Sequence, residues 1–192
     1  MHNKKIYALC DYQTLEKFDI SLLKYLELLK SYNIIYIQYR DKINDIKTQK
    51  ENIKLLKSNT NIPIIINDKI ELLELVDGLH IGQEDLEALS LKLKLSKENC
   101  IKFLRKKYPS KILGLSTHDE KEILEANSFD LDYIGLGAYR ATTTKDVSNC
   151  LGDKVSYLAK ISKYPVGVIG GVKVDDDIKD IDYLVIGSGL LL

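Results

Sequence analysis

The segment IPIIINDKIELLELVDGLHIGQED, residues 62–85, contains two short apolar runs that are each followed by an acid. Asp68 follows IPIIIN at 62–67, and Asp85 comes shortly after GLHIG at 78–82. Runs rich in Ile, Val and Leu and bounded by Gly, Asn or Asp are typical of buried strands, and the residues between these two runs have a short helix-like pattern. The segment therefore predicts two parallel strands whose ends both carry carboxylates.

Six further apolar runs of this kind recur along the chain, and helix-like stretches separate most of them. They are IYALC at 6–10, IIYIQYR at 34–40, KILGLS at 111–116, YIGLG at 133–137, PVGVIG at 165–170 and YLVIGS at 183–188. Eight strands that alternate with helices predict a parallel sheet, and closing that sheet gives an α/β TIM (β/α)₈ barrel, with residues 1–192 as one domain. An open doubly wound sheet is the alternative, although no GxGxxG motif follows the first run.

The stretches between the runs have helical periodicity. Two apolar sets each fall on one face of a 3.6-residue repeat, namely Leu15, Phe18, Leu22, Leu26 and Leu29, and Ile43, Ile46, Ile53 and Leu56. Residues Thr117 to Glu120 predict a capping box at the start of the helix after the fifth strand. LSLKLKLS at 90–97 alternates like a strand, and we interpret residues 86–97 as an insertion that precedes a helix at about 98–108.

The C-terminal part of the chain is short for this fold. The linker 172–180, VKVDDDIKD, accommodates at most a stub of the helix after the seventh strand, and four residues follow the last run. We therefore expect a compact barrel with a shortened seventh helix and a missing eighth helix. Without these helices the apolar flanks of the first, seventh and eighth strands would be uncovered. Because large exposed apolar patches usually mark interfaces, we expect a homodimer or another covering arrangement.

Charge and cysteine content argue against several classes of protein. Lys plus Arg and Asp plus Glu both number 28, so no net field attracts nucleic acid or a membrane surface. No apolar stretch approaches the roughly 20 residues that span a bilayer, and the N-terminus lacks the apolar run of a signal peptide. Cys10, Cys100 and Cys150 lack CxxC spacing, which argues against disulfides or zinc and fits a reducing compartment. We expect a cytoplasmic protein.

The acids of the opening segment predict a metal site. The C-terminal ends of barrel strands meet on one face, and in this fold that face carries the function. Asp68 and Asp85 follow neighbouring strands, so their carboxylates can face one site. Mg²⁺ typically takes one or two protein carboxylates and leaves positions for water and substrate phosphate. Helix capping by Asp68 and a turn at Asp85 are the structural alternative.

Cations are expected at the same face. In QYRDK, at the end of the second strand, Gln38, Arg40 and Lys42 alternate and should point the same way. Two cations at a barrel mouth are costly unless an anion binds there, and a surface ion pair of Arg40 with Asp41 is the alternative. The loop YRATTTK after the sixth strand adds three hydroxyl groups and Lys145, which suits a polyphosphate. With a metal, this set predicts a pyrophosphate site.

Glycines at the ends of the last two strands predict a second, neutral anion site. Gly170 and Gly171 follow the seventh strand, and Gly187 and Ser188 follow the eighth. Barrels often bind a monophosphate at these two loops, where glycine permits a close backbone approach, although tight turns are the alternative. The sequence indicates no Ser–His–Asp triad, so electrostatic stabilisation of a leaving group is the simplest chemistry for the mouth.

Seven separated segments of the chain resemble those of the thiamine-phosphate synthase family, in the same order. They are QYRDK, IND, DGLHIGQED, GLSTH, DYIGLGAYRATTTK, VIGG and the final GS. The resemblance covers nearly the whole chain and implies a TIM barrel enzyme. It implies transfer of the pyrimidinylmethyl group of 4-amino-5-hydroxymethyl-2-methylpyrimidine diphosphate to a thiazole monophosphate, giving thiamine phosphate and pyrophosphate by a dissociative mechanism.

The resemblance also implies roles for individual residues. The pyrimidine diphosphate ligands would be Gln38, Arg40, Lys42, Asn67 and Lys145, with Ser116 near the pyrophosphate. Thr142 and Thr144 match the substrate-binding threonines of the family's TxTK loop. The Mg²⁺ ligands would be Asp68 and Asp85, and the thiazole phosphate would lie at Gly170, Gly187 and Ser188. Arg40, Lys42, Ser116 and Lys145 would carry the catalytic charge stabilisation. His80 and His118 match family histidines that either act directly or serve packing and the start of a helix.

Two other functions compete with this interpretation. A related thiazole tautomerase has the same barrel, moves protons without a metal and has a histidine at the position of His118. The acid of GQED and the TTTK loop argue against it, because the tautomerase generally lacks both. The second alternative is a non-catalytic phosphate-binding barrel, against which the retention of all the cations and both acids argues.

Overall fold

The computed structural model describes residues 4–141 and 150–191, and its eight parallel strands form one closed barrel in chain order. The strands are β1 (Ile6–Asp11), β2 (Ile34–Arg40), β3 (Ile64–Asn67), β4 (Gly78–Ile81), β5 (Ile112–Thr117), β6 (Tyr133–Leu136), β7 (Val166–Val168) and β8 (Tyr183–Ile186). The barrel closes because β8 pairs with β1. All eight runs are strands, and the TIM barrel is confirmed over the open sheet.

Helices connect most of the strands on the outside of the barrel. They are α1 (Tyr12–Lys17), α2 (Leu22–Leu29), α3 (Ile46–Asn59), α4 (Gln83–Leu93), α5 (Lys97–Lys107), α6 (Glu120–Ala126) and α7 (Lys154–Ile161). Short 3₁₀ helices span Ile70–Leu75 and Ser188–Leu190. Within the described ranges, no helix has both the length and the apolar character needed to cross a bilayer.

Strand alternation divides the apolar side chains into two cores. Tyr7, Ile65, Tyr133 and Val185 fill the inside of the barrel. The larger core lies between the strands and the outer helices, and Ile64 belongs to it although its neighbour Ile65 faces inward. Residues two apart on a strand therefore share a face, and the last inward residues of each strand reach the mouth.

The helical face predicted over residues 15–29 is divided between α1 and α2. Asp19 has a left-handed backbone, with φ of 53°, and interrupts the helix. The Ser21 hydroxyl then accepts a 3.2 Å hydrogen bond from the Lys24 amide and caps α2. Phe18, which the periodicity assigned to the buried face, is 40% exposed because it lies at this break. Ile43 is likewise exposed, since it precedes α3.

Residues 86–97, interpreted as an insertion, are mainly helical. Most of them belong to α4, which ends at Lys94 with a left-handed φ of 54°, and the Ser96 hydroxyl caps α5 by accepting from the Asn99 amide. The alternating pattern of LSLKLKLS therefore lies mainly on a helix, which leaves Leu91 72% exposed. Two packed helices thus connect β4 to β5.

The capping box predicted at Thr117–Glu120 begins two residues later. Thr117 ends β5, and its hydroxyl donates to the Gly135 carbonyl at 3.1 Å. Asp119 is the cap of α6 and accepts from the Glu122 amide at 2.8 Å. The Glu122 carboxylate in turn accepts from the His118 amide at 2.7 Å.

The described C-terminal part lacks the usual helices after β7 and β8, as expected, yet the neighbouring strands are not left uncovered. Residues 169–182 contain turns and no helix, and a 3₁₀ helix follows β8. The flank is covered within one chain, since Cys10, Val168 and Ile186 are at most 1% exposed, and this corresponds to the covering arrangement expected as the alternative to a dimer. The linker after β7 covers this side with apolar side chains, which are Val172, Val174, Ile178 and Ile181.

Candidate active site

The strand ends bring several of the predicted residues to the same mouth. Arg40 is the last residue of β2, Asn67 is the last of β3, and Ser116 lies one residue before the end of β5. Ser188 begins the short helix just after β8. Because all eight strands are parallel, these residues share one end of the barrel.

The two acids converge on Gly82. The Asp68 carboxylate accepts from the Gly82 amide at 2.9 Å and from the Asn67 side-chain amide. A Cβ atom placed on Gly82 would lie 3.3 Å from Asp85 Oδ2 and 3.7 Å from Asp68 Oδ1. Asp85 is in the first turn of α4 rather than in a turn of its own. Two hard oxygen donors therefore border one small space, which is the donor type that Mg²⁺ takes.

The charge of this space is reflected in the pKa of Asp85. Burial raises that pKa, and the neighbouring Asp68 carboxylate raises it further. Lys42 and Lys69 oppose the rise by their positive charge, so both lysines lie in the electrostatic surroundings of the acid pair. No group of three or more His, Cys, Asp or Glu suited to a metal occurs in residues 4–141 and 150–191. Asp68 and Asp85 therefore form a pair rather than part of a larger acidic cluster among the described residues.

Arg40 is held by a buried acid that the sequence analysis did not single out. Asp11 and Arg40 are partners in the register of β1 and β2, and the Arg40 guanidinium donates to Asp11 Oδ2. The other oxygen of Asp11 accepts from the Thr14 amide and hydroxyl, both at 2.9 Å. Its place at the end of β1 was the available signal, because a carboxylate there must face the mouth.

The alternative pairing of Arg40 with Asp41 does not occur. Asp41 is buried on the other face and accepts from the Tyr39 hydroxyl at 2.7 Å and from the Asn44 amide at 3.0 Å. Burial would raise the pKa of Asp41, but these hydrogen bonds outweigh it and lower the pKa. Arg40 is therefore directed to the mouth rather than into a surface pair.

Gln38 and Arg40 share a face of β2 as predicted, but Lys42 does not continue it because the strand ends at Arg40. Lys42 lies beyond the strand and is exposed. Gln38 is 3% exposed and points into the barrel, where its amide donates to the Tyr7 hydroxyl at 2.9 Å. The three residues thus lie at different depths of the mouth.

Arg40 and Ser188 border a common cavity of about 300 Å³. Its lining residues are Asp11, Gln13, Thr14, Lys17, Phe18, Arg40 and Ser188. Lys17 adds a cation that the sequence analysis missed, because α1 was not recognised as a separate helix beside the mouth. This cavity has one acid, two cations and two hydroxyl groups, which is suited to an anion.

The glycines after β7 serve the packing of two loops. Gly170 has φ of 95°, and a Cβ atom there would lie 2.6 Å from the Cβ of Ala138. The Gly170 carbonyl accepts from the Arg140 amide at 2.9 Å. Arg140 in turn forms hydrogen bonds of 2.7 and 2.9 Å with Asp176. The predicted residues Thr142, Thr144 and Lys145 lie outside the described residues.

His80 is at the centre of a hydrogen-bonded group inside the mouth. Its Nε2 lies 2.9 Å from Ser116 Oγ, and its Nδ1 lies 3.0 Å from the Tyr133 hydroxyl. The His80 and Tyr133 rings stack with centroids 5.6 Å apart. Burial, with a smaller contribution from His118, lowers the pKa of His80 to about 4, so the ring is neutral at pH 7.

His118 lies outside this group, at the start of α6. Its side chain is 45% exposed, and its Nδ1 is 2.9 Å from Glu122 Oε2. Of the two functions considered for this histidine, the contacts support the one at the helix start.

The free energy of unfolding is expected to decrease as the pH falls from 6.5 to 4. In this range the unfolded chain binds a proton at residue 80, whereas folded His80 stays neutral, so acid favours unfolding by about 3 kcal/mol over the range. Urea denaturation at a series of pH values measures the slope. In His80→Gln the part due to this ring should disappear, and an unchanged slope in that variant would contradict the assignment.

Comparisons with known proteins identify the family. The profile of a family described as thiamine monophosphate synthase matches residues 6–183. The chain belongs to this thiamine monophosphate synthase family. A thiamine-phosphate synthase of Persephonella marina is 34% identical over 173 residues, which are 87% of this chain and 76% of the relative. One from Staphylococcus saprophyticus is 31% identical over 186 residues, 91% and 81% of the two chains.

The fold of the family is also found in a solved structure. Thiamine phosphate pyrophosphorylase from Pyrococcus furiosus superposes with a TM-score of 0.76 at 22% identity, over 97% of this chain and 87% of that one. At this identity the likeness concerns the barrel. The resemblance of the seven sequence segments is thus confirmed at the level of family, fold and enzyme class, which is a transferase.

Proposed function

We propose that the chain condenses a pyrimidine diphosphate with a thiazole monophosphate, releasing pyrophosphate, at the mouth formed by Arg40, Asp68, Asp85 and Ser116. The observation that carries the proposal is the convergence of the Asp68 and Asp85 carboxylates at Gly82 in a chain of this family. Burial and the Asp68 charge raise the pKa of Asp85, so the pair would be relieved by a cation.

The residues at the mouth suit a reaction that needs positioning and charge stabilisation more than proton transfer. Asp68 and Asp85 would hold Mg²⁺, which when bound supplies charge neutralisation for the leaving pyrophosphate. Arg40, oriented by Asp11, would bind the diphosphate, and Lys42 would add positive charge at the rim. The C–O bond between the pyrimidine methylene carbon and the diphosphate breaks, and its electron pair leaves with pyrophosphate. The thiazole nitrogen then supplies the electron pair of the new C–N bond to that carbon.

Other predicted residues have roles consistent with this reaction. Gln38 and Asn67 would bind the pyrimidine diphosphate. Thr142, Thr144 and Lys145, which are outside the described residues, are proposed as further ligands from the family resemblance alone. Ser188 shares a cavity with Arg40, so we assign the thiazole phosphate to that side, near Gly187. Gly170 supports it from the loop after β7.

A two-substrate assay tests the proposal. Pyrophosphate and thiamine phosphate should form together only when both substrates and Mg²⁺ are present, and EDTA should abolish the reaction. Isomerisation of a thiazole carboxylate phosphate without metal would favour the tautomerase, and binding without turnover would favour a non-catalytic barrel. The homodimer and the cytoplasmic location stay predictions, and light scattering determines the first.

A further inference from the structure

Four hydrogen bonds in series cross the inside of the barrel from β2 to β5. The Gln38 amide nitrogen is 2.9 Å from the Tyr7 hydroxyl, which is 2.8 Å from the Tyr133 hydroxyl. Tyr133 is 3.0 Å from His80 Nδ1, and His80 Nε2 is 2.9 Å from Ser116 Oγ. Four of the five side chains are at most 8% exposed, and Ser116 at the mouth end is half-buried. We call these five residues the interior chain.

Counting hydrogens gives the interior chain a direction. The Gln38 NH₂ group can only donate, so the Tyr7 oxygen accepts from it, and the single Tyr7 proton has an acceptor in the interior chain only if it goes to Tyr133. Tyr133 then donates its proton to His80 Nδ1. A neutral His80 with an acceptor at Nδ1 carries its proton on Nε2 and donates to Ser116. The hydroxyl proton of Ser116 is therefore left over.

We propose that Tyr7, Tyr133 and His80 are positioning residues that fix the Ser116 hydroxyl as a hydrogen-bond donor to an anion at the barrel mouth. The inference rests on the proposed function in that this anion is the diphosphate of the substrate. A donor that is already oriented requires no reorganisation as negative charge develops on the leaving group. Gln83 supports the geometry by donating its side-chain amide to the Ser116 carbonyl at 2.8 Å.

Two strand glycines make room for the interior chain. A Cβ atom on Gly114 would lie 2.1 Å from Tyr133 Cζ and 2.5 Å from its hydroxyl. One on Gly135 would lie 3.0 Å from His80 Cε1. Glycine within a strand weakens it and often marks a site of close approach. Here the missing side chains of Gly114 and Gly135 leave the space that the stacked His80 and Tyr133 rings occupy.

The donor–acceptor direction of the interior chain can be tested in the intact protein by finding which nitrogen of His80 is protonated. Nitrogen-15 NMR of histidine-labelled protein should show a proton on Nε2 and none on Nδ1 at neutral pH, with His80→Gln identifying the signals. If the hydrogen bonds of the interior chain had the opposite direction, Nδ1 of His80 would carry the proton and Ser116 would donate to His80. That result would overturn the inference without any assay of activity.

Variants test the positioning role. Tyr133→Phe should remove the preference of His80 for one protonated nitrogen and lower kcat by about 10- to 100-fold, as loss of an outer partner of a ligand does elsewhere. Ser116→Ala should lower kcat as well, and adding Tyr133→Phe to it should cause little further loss. Tyr36→Phe is the matched control, because the Tyr36 ring is 6.0 Å from Tyr133 but its hydroxyl is not in the interior chain.

The outcomes separate this inference from the proposed function. An unaltered protein that releases no pyrophosphate under any condition would refute the proposed function. An active protein in which Tyr133→Phe retains both turnover and the protonated nitrogen of His80 would refute the positioning role alone. If Tyr36→Phe behaves like Tyr133→Phe, the loss does not depend on a hydroxyl of the interior chain, and the inference also fails.

Discussion

Arg40→Ala is expected to lower kcat/KM for pyrophosphate release by about 10²- to 10³-fold, the size seen when one preorganised donor to a developing charge is removed. The guanidinium lies at the end of β2, is directed to the mouth, and borders the cavity shared with Ser188. Its side chain is only 21% exposed, so its charge acts on a ligand with little screening. Steady-state kinetics with both substrates measures the loss.

The orientation of Arg40 gives this prediction a second test. Arg40→Lys keeps the charge but loses the planar fork that matches phosphate oxygens, so it should restore only part of the activity. Asp11→Asn should also reduce kcat, because it removes the carboxylate that holds the guanidinium in place.

Removal of Arg40 also leaves the buried Asp11 carboxylate without its cation, so the folding of the variant must be measured. Asp11 retains the hydrogen bonds from Thr14. The double variant Arg40→Ala, Asp11→Asn should recover stability but not activity. Lys57→Ala is the matched control, since it breaks a 2.9 Å ion pair with Asp77 just before β4, at the opposite end of the barrel. Full activity in Arg40→Ala would show that the guanidinium does not bind the diphosphate.

Local patterns predicted the barrel well because each strand is a short apolar run with its own boundaries. IIYIQYR at 34–40 coincides with β2, and the other runs differ from their strands only at the ends. The helices were harder, because a helix break depends on a single residue. The left-handed backbone of Asp19 divides a continuous apolar face, and that of Lys94 separates α4 from α5. Glycine is the residue that indicates a left-handed backbone in a sequence, and neither position has one.

At the site, the sequence located strand ends but not partners across strands. Arg40 was recognised by its place after β2, whereas Asp11 requires the register of β1 with β2 to be known. The interior chain is less visible still, because Tyr7 and Tyr133 come from β1 and β6 and meet only inside a closed barrel. In the sequence both tyrosines look like ordinary aromatic core residues. Only the closed barrel brings their two hydroxyl oxygens to 2.8 Å from each other.

Which part of the chain covers the last strands could not be predicted for a similar reason. Counting helices measured what the chain lacks after β7, but irregular segments can also bury apolar surface. Val172 is 6% exposed and packs in the core although it belongs to no helix or strand. The cover of a barrel therefore depends on where apolar side chains of a linker come to lie, which periodicity does not show.

Asp85→Asn is expected to increase the Mg²⁺ concentration needed for half-maximal activity by roughly 30-fold. In a water-like dielectric, a carboxylate about 4 Å from a divalent ion contributes about 2 kcal/mol, which corresponds to that change in affinity. A water-like value is appropriate because Asp85, although partly desolvated by its neighbours, is exposed to solvent at the start of α4. Asp68→Asn should have a larger effect, since Asp68 is less exposed and is fixed by the Gly82 amide. Titration of Mg²⁺ in the two-substrate assay measures both.

The stability of Asp85→Asn in urea, measured without substrate, tests the metal site independently of activity. Burial and Asp68 raise the pKa of Asp85, so its ionised form is unfavourable in the folded state above that pKa. Without Mg²⁺ at neutral pH, Asp85→Asn should therefore unfold at the same or a slightly higher urea concentration than the unaltered chain. With saturating Mg²⁺ the order should reverse, because an ion that binds only the folded state stabilises the chain that holds it more tightly. If the variant were less stable in EDTA and gained as much from Mg²⁺ as the unaltered chain, the carboxylate would serve the fold and not the metal. Glu84→Gln, one residue away in the same turn of α4, is the matched control and should keep the Mg²⁺ response.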